Sequence, residues 1–119
     1  MTLFEQKVYS AVRKIPRGKI TTYSEVARII GNSFAYRAVG NALNKNYFRG
    51  VPCHRVVMAN GRVGGYNKGV KRKINLLKKE CIIIRNGMID LEKYGWDFSN
   101  TPRTILNLSR IRRNYSGSI

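Results

Sequence analysis

Acidic side chains are scarce in this sequence. Only 6 aspartates and glutamates stand against 23 lysines and arginines in 119 residues, leaving a formal net charge of +17. So one-sided a balance implies a polyanionic partner, most simply nucleic-acid phosphate; a solvated lysine surface or a ribosomal-type RNA binder is the plainer alternative. Long apolar runs are lacking too, so no membrane span is expected, and no signal peptide is evident. Two cysteines far apart make no disulfide framework, which predicts a reducing, cytoplasmic setting. With a single histidine they cannot assemble a usual structural zinc tetrad without carboxylates, so neither a metal nor a cofactor is expected. Phosphate-loop and dinucleotide fingerprints are missing as well. What remains fits one small domain with a modest core.

Apolar residues at Leu3, Phe4, Val8, Ala11, Val12 and Ile15 recur every three or four positions, predicting a helix from Thr2 to Lys14. Thr2 is its expected N-cap, and Pro16-Arg17-Gly18 stops it. Thr22-Tyr23-Ser24-Glu25 has the form of a capping box opening a second helix, whose core face is Val26, Ala27, Ile29 and Ile30. Ser33 is expected to cap a third, running to about Asn44, with Ala35, Ala38, Val39, Ala42 and Leu43 inward. Two short helices around a glycine-containing turn make a helix-turn-helix. The outward face of the third helix is Tyr36, Arg37, Gly40, Asn41 and Asn44. Gly40 there either lets the helix approach something closely or lets two helices pack. Val56 to Val63 reads as a hairpin about Asn60-Gly61. Gly64 to Gly69 is a glycine-rich loop, and Val70, Ile74, Leu77 and Cys81 mark one face of a fourth helix. Ile82 to Ile84 and Met88-Ile89 flank a second Asn-Gly as a possible wing. The reading is a mainly α domain with small β-hairpins, a winged helix-turn-helix over residues 1–96, followed by a basic flexible tail over 97–119.

Chemistry concentrates in Val51-Pro52-Cys53-His54-Arg55-Val56-Val57, where the only histidine adjoins one of the two cysteines. A thiol is a nucleophile as thiolate, and an adjacent imidazole can take its proton. Pro52 restrains the backbone before Cys53, and Val56-Val57 reads as a buried anchor. The plain alternative is an inert buried cysteine.

Pro-Cys-His-Arg-Val-Val strongly resembles the acceptor-cysteine motif of the O6-alkylguanine-DNA alkyltransferases, and matches at the family's spacing extend from about Thr2 to Glu80. The resemblance implies that Cys53 takes the alkyl group from O6 of guanine in double-stranded DNA, once per molecule, giving a thioether. His54 matches the histidine that relays the cysteine proton through a water, and Glu80 the carboxylate that orients it. Arg37 matches the finger that fills the space of the extruded nucleotide, and Tyr23 the tyrosine that pushes on the target phosphate. Gly40, Asn41 and Asn44 lie on the small face that the family sets into the minor groove. Asn46 matches the asparagine tying the recognition helix to the active-site turn, while Arg55, Tyr66 and Asn67 fall at pocket and structural positions. A monomer in the cytoplasm, associated with the nucleoid, is implied.

Two features depart from the family pattern. Where an apolar, proline-bearing segment usually walls the alkyl pocket, this chain has the shorter, more polar Tyr47-Phe48-Arg49-Gly50-Val51. The resemblance begins at about Thr2 and so implies a layout without the family's amino-terminal domain, and that compact layout, ending in Tyr94-Gly95-Trp96, is also similar to the alkyltransferase-like proteins. These recognise the lesion without transfer, typically with tryptophan at the acceptor position, and a sensor of that kind implies partner repair proteins. Here the position is Cys53. A winged-helix regulator or RNA binder, indifferent to Cys53, is the third reading.

Overall fold

A computed structural model of the chain describes residues 1–46 and 48–100. Helix α1, Leu3–Val12, is opened by a full capping box: Thr2 Oγ1 accepts from the Glu5 amide, and the Glu5 carboxylate accepts from the Thr2 amide. Helices α2, Tyr23–Ile29, and α3, Tyr36–Asn44, form the expected helix-turn-helix. Thr22 caps α2 by accepting from the Glu25 amide, but the Glu25 carboxylate turns to Arg28, so only half of the box closes. Ser33 does not cap α3. The helix begins three residues later with no side-chain cap, after a turn in which Asn32 Oδ1 accepts from the Phe34 amide. The difference has a local cause: an asparagine two residues ahead of an amide offers a tighter turn than a serine hydroxyl.

Helices α1 to α3 enclose the larger core, built on Val8, Val12, Ile15, Val26, Ala27, Val39 and Leu43, with Val56 and Phe98 packed in from later in the chain. Leu3 and Ala38, both expected inside, are exposed. The core reaches Phe98, two residues past Trp96, and the expected basic tail lies outside the described residues from 101 onward.

Strand β1, Thr21–Thr22, pairs in parallel with β2, Val56–Val57. This pairing replaces the simple hairpin expected about Asn60-Gly61. That dipeptide does turn the chain, with the Met58 amide donating to Arg62 O at 2.9 Å, but β2 finds its ladder partner ahead of α2. Arg62 instead bridges Met88. Gly61 has φ +90°, and a Cβ there would lie 2.8 Å from Ile89 O, so the position needs glycine on both counts. The second Asn-Gly behaves as expected. Asn86 and Gly87 both have positive φ, and Arg85 and Met88 exchange two backbone hydrogen bonds across the turn.

Helix α4, Val70–Lys79, turns the middle of the expected face inward, with Leu77 buried and Ile74 packed beside it, but not the ends of that face. Val70 and Cys81 are exposed, whereas Lys73 and Leu77 are fully buried. Lys73 Nζ donates to Val56 O at 2.7 Å and to Gly65 O at 2.9 Å, tying α4 to β2 and to the glycine-rich loop. A short helix α5, Leu91–Tyr94, capped by Asp90, closes the smaller core of Ile20, Val57, Val63, Leu77, Ile82 and Ile89. No helix among the described residues is long and apolar enough to cross a membrane.

Candidate active site at the foot of the recognition helix

Cys53 opens a single 3-10 turn, Cys53–Arg55, directly before β2. The turn is pinned from both sides, since Val57 is locked to Thr22 and Pro52 O accepts from the Arg55 amide at 2.9 Å. Cys53 Sγ lies in a polar nest: Asn46 Nδ2 donates to it at 3.3 Å, and Leu43 O lies 3.8 Å away as an acceptor for the thiol. Asn46 also accepts from the Phe48 amide and donates to Phe48 O. The C-terminal end of α3, the following loop and the sulfur are thus joined through one amide. The Asn67 side chain adds a second tie, donating to Asn46 O at 3.1 Å and to Asn44 O at 3.3 Å. The sequence gives that position no such role; an asparagine in a glycine-rich loop facing a helix end is the signal for it.

Behind the cysteine stands a buried charge cluster. His54 Nε2 is 2.8 Å from Glu80 Oε2, and Arg55 grips the same carboxylate through Nε and Nη2, with its Nη1 donating to Ile15 O. The Gly18 amide completes the set at 3.2 Å from Glu80 Oε1. Burial alone would raise the Glu80 pKa, but the hydrogen bonds from Arg55, His54 and Gly18 outweigh it and hold the carboxyl at about 2. An ionised Glu80 requires the His54 proton on Nε2, which leaves Nδ1 as the free base. Burial lowers the His54 pKa against the pull of Glu80, so the ring is neutral near pH 7. Burial also pushes the Cys53 thiol up, opposed by Asn46 and by the charges of Lys68 and Lys73. The resting sulfur is therefore a thiol, and the next residue in the chain carries a neutral imidazole.

Two cavities share Cys53 in their walls. The narrower, about 190 Å³, opens beside α3 and is lined by Tyr23, Gly40, Leu43, Asn44, Cys53, Gly65, Tyr66 and Asn67. The wider, about 420 Å³, shares Cys53, Tyr66 and Asn67 and runs past Asn46, Arg49, Val51, His54 and Lys68 to Arg13. Of the residues singled out in the sequence, His54, Arg55 and Glu80 come into one cluster beside Cys53 in the chain, and Tyr23, Gly40, Asn44, Asn46, Tyr66 and Asn67 border the cavities that Cys53 lines. Arg37 and Asn41 stand apart from both cavities, exposed on the outer face of α3.

Gly40 can now be read. A Cβ built there would meet only the Tyr23 ring, at an ordinary 3.8 Å, so packing against α2 does not require glycine. Gly40→Ala is expected to stabilise the fold by about 0.5–1 kcal/mol through helix propensity. The same methyl group should weaken duplex binding if α3 lies against DNA, as thermal melts and fluorescence anisotropy on one sample will show.

Lys73 is the participant that sequence reading passes over. Desolvation lowers its pKa from 10.5 to about 8, with the Cys53 charge pulling the other way, and its ammonium stands 5.8 Å from the centre of the Tyr23 ring. The signal was there: Lys73 fills the i+3 position of the Val70, Ile74, Leu77 stripe. Its folded pKa is depressed, so the unfolded chain holds the proton more tightly between about pH 8 and 10.5. Stability relative to Lys73→Met should therefore rise across that window, which urea titrations at stepped pH will measure.

The three-helix scaffold, with its helix-turn-helix and a buried cysteine behind the end of α3, has the form of a DNA-binding domain. Residues 3–82 match the family described as 6-O-methylguanine DNA methyltransferase, DNA binding domain, and the chain belongs to that family. It is 34% identical over 111 residues to the bifunctional methyltransferase/endonuclease of Picrophilus torridus, covering 92% of this chain and 37% of that protein. Identity to the methylated-DNA–protein-cysteine methyltransferase of Methanosarcina acetivorans is 49% over 80 residues, or 66% of this chain and 51% of that one. The chain thus spans about half or less of the length of these relatives. Among solved structures, S. pombe Atl1 in complex with damaged DNA containing O6-carboxymethylguanine is similar with a TM-score of 0.74 and 32% identity, over 82% of this chain and 97% of that one. Mycobacterium tuberculosis OGT in complex with DNA gives 0.66 and 44%, over 68% and 50%.

Proposed function

We propose that this chain repairs O6-alkylguanine in double-stranded DNA by moving the alkyl group to Cys53 in a single turnover. The observation that carries this reading is Cys53 in the walls of two cavities beside α3, backed by the His54–Glu80–Arg55 cluster. A stacked base cannot reach a sulfur recessed behind a helix, so the damaged nucleotide must leave the duplex. Arg37, exposed on the outer face of α3, takes the vacated space, and Tyr23 acts on the target phosphate. Gly40, Asn41 and Asn44 give that face small side chains suited to the minor groove. His54 Nδ1 accepts the thiol proton through a bridging water as the sulfur attacks the alkyl carbon. The C–O6 bond breaks with its electron pair on the guanine, and the Tyr66 hydroxyl donates toward the ring. The thioether formed is not hydrolysed, so each molecule reacts once.

A second reading has its own support. The segment Arg49-Gly50-Val51 on the wider cavity is short and polar, and the alkyltransferase-like Atl1 is matched over nearly its whole length. In that reading the chain binds the lesion and a partner repair protein follows. Duplex carrying a radiolabelled O6-methyl group separates the two. Transfer predicts one equivalent of label on the protein, lost in Cys53→Ala, while a sensor leaves the label in DNA and binds reversibly. A protein that neither takes the label nor prefers the lesion contradicts both.

A further inference from the structure

We propose that the wider cavity beside Cys53 selects O6 substituents that carry a negative charge, held by Arg49 with Lys68 and Arg13. The inference rests on the reading of Cys53 as the place where the O6 substituent arrives, and it concerns which substituents are favoured there.

Size is the first observation. A methyl group needs about the space of one water, roughly 30 Å³, whereas the cavity holds about 420 Å³. The second is charge. Arg13, Arg49 and Lys68 reach its walls from the end of α1, the loop before Cys53 and the glycine-rich loop. No acidic residue lines it among the described residues, and none of the three cations pairs with a described carboxylate. The basic groups deeper in, His54 and Arg55, are already committed to Glu80. The free donors therefore line the same cavity as Cys53, into which a longer substituent would extend.

Displacement fixes the chemistry of the occupant. The carbon bonded to O6 must face Sγ, so any further atoms project from it into the open volume. The smallest anionic substituent that keeps a displaceable methylene is carboxymethyl. Sulfur bonds that methylene as the C–O6 bond breaks, the electron pair leaves on guanine, and the proton given up by the thiol balances the one guanine takes back. Nothing is oxidised or reduced. A carboxylate so close to an attacking thiolate is repelled, and a bidentate guanidinium offsets that repulsion where a neutral wall would not.

Competition binding with the full chain tests this, using three duplexes of one sequence that differ only at one guanine: carboxymethylated, carbamoylmethylated or unmodified. The carbamoyl group has the same shape without the charge. Phosphate contacts are common to all three, so they cancel in the ratios. The expected result is a preference of about tenfold or more for carboxymethyl over carbamoylmethyl, in line with a charge-assisted hydrogen bond. The preference should collapse toward one in Arg49→Gln and return in part in Arg49→Lys, which keeps the charge without the planar fork. A ratio near one in the wild type, or one unmoved by Arg49→Gln, overturns the inference while lesion recognition stands. Equal binding of all three duplexes overturns lesion recognition itself, and the inference with it.

Discussion

Replacing Glu80 by alanine is expected to cost about 3–5 kcal/mol of stability, read as a lowered urea midpoint, because it strands the Arg55 guanidinium in a site built for its partner. The Arg55 side chain is only 16% exposed, and of its carboxylate and carbonyl partners it would keep the Ile15 carbonyl alone. His54 and the Gly18 amide lose an acceptor in the same change. Glu80→Gln keeps an acceptor and should cost about 1–3 kcal/mol. The wild type has a matching acid signature. The folded carboxyl titrates at about 2 and the unfolded one at 4.5, so the unfolded chain takes up protons first as the pH falls. This contribution, on the order of 3 kcal/mol, is complete above 4.5 and disappears as the pH falls from there to 2. Equilibrium unfolding at stepped pH should show that slope in the wild type and a flatter one in Glu80→Gln.

The second large effect falls on rate. His54→Ala should slow single-turnover transfer by about 10²- to 10⁴-fold, the usual range for removing a general base. The loss should appear in the rate at saturating protein rather than in lesion affinity, because the proposed transfer uses the imidazole only on the thiol proton. Burial holds the His54 pKa below 6.5, so the wild-type rate should fall with acidification only beneath that value. Rapid-quench measurements on an O6-methylguanine duplex across pH give both the amplitude and the position of this limb. Loss of the acid limb in His54→Ala, together with the slower rate, ties it to this residue.

How much of this was legible in the sequence follows from range. The three helices and their turn could be read because periodicity and capping act within a few residues, and Thr2 with Glu5 closes the box that its spacing allows. Cys53 and His54 could be singled out because they are neighbours in a recognisable motif. The carboxylate partner needed family spacing, since nothing local distinguishes Glu80 from an exposed acid at a helix end. The parallel pairing of Thr21–Thr22 with Val56–Val57 left no trace, being two residues long on each side and joining distant segments. Lys73 was missed for a chemical reason. A lysine is assigned to solvent by its charge, yet a four-carbon stem can lie in a core when its ammonium finds two backbone carbonyls. Arg55 shows the same principle at larger scale, joining Glu80 at one end of α4 to Ile15 after α1.

The central claim is that Cys53 receives the alkyl group. Its most direct test is the mass of the protein, intact and after digestion, following exposure to duplex DNA with a single O6-methylguanine. The account predicts a gain of one methyl group per molecule, mapped to Cys53 and not to the exposed Cys81, with none from undamaged duplex and none in Cys53→Ala. An unchanged mass after stable, lesion-selective binding, or a methyl group found on Cys81, would contradict it.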